Sequence, residues 1–331
     1  MDAARPFAAA RGVVLPRNWA TAAGITAALA LAVGWPLLIG NPFFITLGTT
    51  IALELIGATS LHLLLRMGHI SLAHAAFMGI GGYTAVLLRM RMDVPFPFDL
   101  IAGALAPALL ALVIGPVILR LSGKYFALVT FMSGEIVRLS LTQWSSLTGG
   151  ANGIFGVPPL VPGLTSGLQF YYLAVLISAV CIALVARLLT GEIGRVMASI
   201  RESERLAACS GIPVVRVKVT VFAIASAMVG MQGVLHAHHL HYIDPSAFTS
   251  VQSLNFLVMN IIGGVDHLIG AVAGAVFLVI LPELLRDYQG LQQILFGIIL
   301  VIVMAGLPGG LVQLIGLGWR AALDLRRRFA A

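Results

Sequence analysis

Long apolar runs, most of them close to the length that crosses hydrocarbon, recur along the whole chain. They predict helices near 20–39, 43–65, 70–90, 97–119, 124–142, 168–189, 214–236, 249–264, 268–285 and 291–313, ten in all. The fold class that follows is all-α: a polytopic transmembrane helical bundle forming a single integral-membrane domain over residues 1–331. Two stretches interrupt the pattern. Gln143 to Gly167 is neutral and rich in Gly, Pro, Ser and Thr, and reads as a loop or partly re-entrant segment, because its backbone cannot face lipid without partners. Residues 187–218 carry Arg195, Arg201, Arg205 and Arg216 beside Glu192, Glu202 and Glu204, too many charges to lie in hydrocarbon. This segment is expected in water, where a partner can grip it.

Composition agrees with the runs. Hydrophobic residues make up 59% of 331, charged residues only 10%, and the mean hydropathy is +1.00, whereas a soluble domain is nearer a quarter charged. The net charge of +7 would admit a nucleic-acid partner, but the basic residues sit in short clusters between apolar runs, so topology explains them and nucleic acid is not expected. With the N-terminus inside, 16 of the 20 Lys and Arg fall on the inner face; Arg89, Arg91 and Arg286 fall outside and Arg138 near the outer end of the fifth helix. That asymmetry is the positive-inside rule, and it requires an even number of spans, with both termini cytoplasmic. The first run, preceded by Arg5, Arg11 and Arg17, has no small-residue cleavage pattern and reads as a retained helix. Cys181 and Cys209 are assigned to opposite depths, which disfavours a disulfide.

Some spans are interrupted by glycine. The third contains Gly79, Gly81 and Gly82, and the eighth ends at Gly263-Gly264. Close helix packing is one reading; a broken helix whose free backbone groups line a solute pathway is the other.

Polar residues inside the spans are the remaining candidates for chemistry. Glu54 lies in an apolar run and must be paired, protonated or open to a cavity. Glu135 and Arg138 are three apart on one helix and share a face, which suits an internal ion pair or contact with a zwitterionic solute. His62, His69 and His74 cluster near inner helix ends, and His236, His238, His239 and His241 near an outer one; interfacial hydrogen bonding accounts for both groups better than a metal does. No Walker loop, His-Glu-x-x-His helix or serine elbow is present. A membrane-embedded enzyme would need a nucleophile that these residues do not supply, so any nucleotide-driven step belongs to another subunit. A partner-independent channel or secondary transporter, with Glu54 as the proton-linked group, is the competing class.

The charged segment reads as a short amphipathic helix that Gly211-Ile212-Pro213 ends. Ile193, Val196, Met197 and Ile200 repeat at helical spacing, and acids alternate with bases on the other face. Such a mixture suits docking to a protein better than adhesion to anionic lipid.

Several strings recur in a specific order: Gly68 to Phe77 (Gly-His-Ile-Ser-Leu-Ala-His-Ala-Ala-Phe), Tyr125 to Thr130, Gly134-Glu135-Ile136-Val137-Arg138, Thr148 to Gly153, the 191–213 segment, Ser246 to Thr249, Ile262-Gly263-Gly264 and Leu281 to Leu285. Together, from about Leu47 to Gly310, they resemble the M-type membrane permease of bacterial branched-chain amino-acid ABC importers. The resemblance implies an inner-membrane subunit without bound cofactor or metal. Its partners would be a related second permease, two cytoplasmic ATPases that bind ATP and Mg, a periplasmic solute-binding protein and membrane lipid.

It also implies that 187–218 is a cytoplasmic coupling segment whose Arg201, Glu202, Glu204, Arg205, Ala207, Ala208 and Gly211 meet the ATPase. For the pathway or the polar interior of the bundle it leaves Glu54, His69, His74, Gly81, Gly82, Glu135, Arg138, Gly263 and Gly264. The family's urea and short-chain amide permeases are an alternative cargo class. Two stretches depart from the pattern: Val265-Asp266-His267-Leu268 replaces a small neutral turn, and Ala305 to Gly310 replaces a more basic ending.

Overall fold

A computed structural model describes residues 41–313, apart from 122, 162–165, 289 and 308. The expected helix at 20–39, the terminal arginine clusters and both chain ends lie outside the described residues. The helices of more than one turn are α1 (Pro42–Leu65), α2 (His74–Met92), α3 (Phe98–Ile118), α4 (Lys124–Gln143), α5 (Gly167–Thr190), α6 (Glu192–Glu202), α7 (Glu204–Cys209), α8 (Val214–Leu240), α9 (Ser250–Gly263), α10 (Leu268–Leu284) and α11 (Gln292–Gly306). Each expected helix within the described residues has a counterpart. The helix expected at 70–90 begins only at His74, because Gly68, at φ +79°, and the turn after it occupy the preceding residues, and the one expected at 291–313 ends at Gly306.

Local chemistry sets the helix starts. Asn41 caps α1 by accepting from the Phe43 N–H at 3.0 Å, and Pro42 fills a position whose own N–H would have had no partner. Ser166 caps α5 in the same way through the Gln169 N–H.

By length and apolar composition alone, α1, α3, α5 and α8 are able to cross a membrane, and a fifth span is added if α9 and α10 count as one. That is fewer than the ten expected. The eighth and ninth runs form helices of only 14 and 17 residues, bent by 117° from one another across the turn at Gly264. Helices α2 and α4 carry charges, at Arg89 and Arg91 and at Lys124, Glu135 and Arg138.

The core forms where α8 packs against α1, α2 and α3. Helices in lipid gain nothing from burying apolar surface against one another, so they associate by close packing of small residues. A Cβ on Gly81 would sit 2.5 Å from the Gly230 backbone, and one on Gly233 only 1.9 Å from the Met78 carbonyl oxygen. The α9–α10 hairpin closes likewise, with 1.7 Å between a Cβ on Gly263 and the Gly270 carbonyl oxygen. The glycines at 81, 82, 263 and 264 therefore lie against other backbone.

Contacts sort the helix ends into two poles. At one, Arg66 and Arg201 reach Asp266 between α9 and α10, Lys218 at the start of α8 reaches Leu119 at the end of α3, and Gly264 lies beside Gly309. At the other, strands β1 (Ile154–Phe155) and β2 (Tyr242–Ile243) pair antiparallel, Arg91 donates to the Ser146 carbonyl, Phe170 stacks on His239, and the Arg286 guanidinium lies over the Phe43 ring.

Candidate functional site

The 187–218 segment folds as two helices. Ser203 leaves helical geometry, at φ −161° and ψ 110°, and its hydroxyl accepts from the Leu206 N–H, so it ends α6 and caps α7. The single helix expected here is thus divided. Gly211, at φ +83°, closes α7: its N–H bonds to the Ala208 carbonyl and that of Ile212 to the Ala207 carbonyl, a left-handed termination suited to glycine. Pro213 then leads into α8.

The segment has an inner and an outer face. Gly194, Met197, Ile200 and Ala207 are buried against the bundle. Glu202, Arg205, Ala208 and Gly211 are exposed, as is Leu206 at 70%, a large apolar side chain open at the tip. Two charged residues of the expected contact set bond back to the bundle. Glu204 accepts from the Lys218 ammonium at 2.7 Å, and the same ammonium donates to the Leu119 carbonyl at 2.9 Å. Arg201 donates to Asp266 at 2.9 Å, and Arg66 donates to the Asp266 backbone carbonyl at 3.2 Å.

Lys218 is 2% exposed. A cation so deeply placed needs hydrogen-bonding partners, and here they come from α3 and α7. His69 lies beside them, with its Nε2 3.6 Å from Glu204, too long for a hydrogen bond, and its Nδ1–H donating to the Met67 carbonyl at 3.0 Å. Burial, and after it the Lys218 charge, holds the His69 pKa below the ordinary histidine range, so the ring is neutral. A cavity of about 420 Å³ opens here, lined by Met67, Gly68, His69, Arg201, Glu202 and Arg205 among others.

The other candidates are dispersed. Glu54 on α1 accepts two hydrogen bonds from the Gln252 amide of α9, at 3.0 and 3.1 Å. His62 meets Asn260 at 3.0 Å, and His74 is buried in the core. His238 and His241 bond to the carbonyls of Pro158 and Val157, so these rings hold the outer loop. Among the described residues no group of three or more His, Cys, Asp or Glu is placed to hold a metal. Arg138 Nε donates to Glu135 at 2.8 Å, and the Ser250 hydroxyl donates to the other Glu135 oxygen.

Sequence reasoning missed Lys218, Asp266, Ser250 and Gln252 as partners of these residues. Lys218 carried a signal, a lysine just inside an apolar run, but its partners are distant in sequence.

A family model described as "Branched-chain amino acid transport system / permease component" matches residues 43–305. The "High-affinity branched-chain amino acid transport system permease protein LivM" of Escherichia coli strain K12 is 29% identical over 317 residues, covering 88% of this chain and 74% of its own. The protein of the same name in Salmonella typhimurium strain LT2 is also 29% identical, with the same coverage. A "Probable branched-chain amino acid transport permease protein LivM" of Methanocaldococcus jannaschii is 26% identical over 234 residues, 64% of this chain and 68% of its own. No solved structure matches the chain.

Proposed function

The chain belongs to the branched-chain amino acid transport system permease component family, and from that premise we propose that it forms, with a related second permease, the membrane path of an ATP-driven importer for branched-chain amino acids. It is a multi-spanning membrane subunit and not an enzyme: ATP and Mg belong to two ATPase subunits on its inner side. An external binding protein delivers the solute.

The orientation rests on charge. The pole carrying the 187–218 segment also holds Arg66, Arg120 and Lys124, while the other has Arg89, Arg91 and Arg286, so the first is cytoplasmic. Among the described helices α1–α5 and α8–α11 run alternately between the poles. With the apolar run at 20–39 as a further helix the passes number ten and the even count is kept. A bend of 117° at Gly264 supports this, because it sends α10 back toward the side from which α9 began.

The 187–218 segment is the proposed coupling element, and the observation that carries this is the inward clamp beneath an outward face. Lys218 fastens α7 to the ends of α3 and α8, and Arg201 fastens α6 to the α9–α10 turn. Glu202, Arg205, Leu206, Ala208 and Gly211 remain open to the ATPase. Nucleotide shifts the bundle only if it favours one conformation through differential contacts, and displacement of α6–α7 transmits that preference to four helices at once. The close-packed glycines of α2 and of the α9–α10 hairpin favour the structural reading over a pathway lining, which leaves the open face of α4 as the better pathway candidate.

Reconstitution with the partner subunits tests the proposal. Glu202→Lys or Gly211→Val is expected to lower solute uptake at least tenfold while ATP hydrolysis continues. Unchanged uptake per ATP in both variants, with the complex intact, would refute the coupling role.

A further inference from the structure

The ion pair on α4 is placed where a purely structural pair has no reason to be. Glu135 lies about 12 Å along the helix from its last residue, Gln143, at ~1.5 Å per residue, which is within the hydrocarbon depth. Its side chain is nonetheless 27% exposed and that of Arg138 28%. The open faces of other helices are apolar, as lipid requires: Leu105, Leu109 and Val113 on α3, Leu176 and Val180 on α5, Ile294, Ile298 and Val301 on α11. Charges turned toward lipid at this depth are unfavourable unless something polar meets them. The open face of α4 is apolar as well, at Leu128, Met132, Ile136 and Leu139, so it is the partly exposed edge of the pair that needs something polar beside it.

The pair is also left with free valence. Of the five guanidinium N–H groups of Arg138 only the one on Nε is engaged among the described residues. Glu135 accepts from Arg138 on one oxygen and from the Ser250 hydroxyl on the other, with the Ser250 backbone N–H as a further donor, which leaves part of the roughly four acceptor positions of a carboxylate open. An anion beside Arg138 and an ammonium beside Glu135 can thus be accepted together without breaking the existing pair. Charges of opposite sign in contact at 2.8 Å match a ligand whose own ammonium and carboxylate sit on one carbon. Met132, Ile136 and Leu139, all exposed, flank the pair on the same face and offer an apolar surface to a side chain.

We infer that Glu135 and Arg138 form a transit site for the head group of an aliphatic α-amino acid, with Arg138 taking its carboxylate, Glu135 its ammonium, and Met132, Ile136 and Leu139 its side chain. The inference rests on the importer reading and adds to it the site at which the solute's charges are recognised after delivery.

The test uses the complete reconstituted importer and labelled leucine. Glu135→Gln and Arg138→Gln are each expected to cut maximal uptake at least tenfold. The double variant Glu135→Gln/Arg138→Met removes both charges, so it should recover the melting temperature of the complex but not the uptake. Double-variant uptake within twofold of wild type would reduce the pair to a structural one and overturn the inference.

Should the charge variants fail to assemble, Leu139→Cys with the pair intact gives a second reading. A charged maleimide should modify Cys at 139, located by peptide mass, and leucine should slow the reaction where 4-methylpentanoate, which lacks the ammonium, does not. Modification by a membrane-soluble maleimide alone, or equal protection by both compounds, overturns the site. A wild-type complex that hydrolyses ATP but imports no leucine would instead overturn the proposed function and the site with it.

Discussion

Lys218 shows how one side chain fixes the relation between the 187–218 segment and the bundle. Replacing it by Met leaves Glu204 without its cation and the Leu119 carbonyl without its donor. Breaking a fully buried pair typically costs ~3–5 kcal/mol, but Glu204 is 38% exposed and water screens it, so about 1–2 kcal/mol is expected here. Thermal melting of Lys218→Met would measure this, and Lys218→Arg should recover part of the loss by keeping the charge.

His69 adds a pH dependence of defined sign. Its proton affinity is lowered by burial first and by Lys218 second, so the folded protein binds fewer protons at this site than the unfolded chain does. The stability it contributes is present above the ordinary histidine range of about pH 6.5 and is lost as pH falls toward the lowered value. Melting temperatures between pH 5 and 7 should therefore decline less steeply in His69→Gln than in wild type. An equal slope in the two would remove His69 from the account. None of these pairings was legible from sequence, because Lys218 to Leu119, Arg201 to Asp266 and Glu54 to Gln252 each join residues far apart in the chain. The ion pair of Glu135 and Arg138 was legible because it is local to one helix turn.

At the scale of elements, the apolar runs located α1–α5 and α8–α11, since a hydrocarbon solvent leaves the backbone few alternatives to helix. They did not show that the segment after α5 is two helices. Ser203 looks unremarkable in a string of charges, and only its capping geometry reveals the break. Nor did the runs reveal the 117° bend at Gly264, which depends on the fit between Gly263 and Gly270. Glycine content marked the positions and favoured packing, with pathway lining left as the alternative. The distances decide for packing in α2 and α8. Gly81→Val must force Gly230 and Gly103 apart, so overpacking of at least about 1–3 kcal/mol is expected, with lowered yield of protease-resistant protein. At Gly211 the cause of strain is different. A β-branched residue at φ +83° is disfavoured by about 1–3 kcal/mol, whereas Gly211→Asn should be tolerated better, and the helicity of a complex carrying each would separate the two.

For the molecule as a whole, the alternation of helix ends makes a statement about sidedness that two cysteines can check. In intact cells Asn152→Cys, beside β1, should react with a membrane-impermeant thiol reagent, and Ser203→Cys only after permeabilisation. The reverse pattern would invert the proposed orientation and detach the 187–218 segment from any cytoplasmic ATPase. The C-terminal third differs from the rest in one respect that bears on its surroundings. Helices α9, α10 and α11 have 14, 17 and 15 residues, so at ~1.5 Å per residue they rise only about 21–26 Å, against the ~30 Å of an ordinary hydrocarbon layer and the 24 residues of α1. In the proposed arrangement, where each of the three crosses singly, neighbouring lipid thins to meet them, at a fraction of a kcal/mol per ångström of mismatch. Transport in vesicles should accordingly depend on acyl-chain length and be fastest in thinner bilayers, so that the surrounding lipid acts on this subunit through one flank alone.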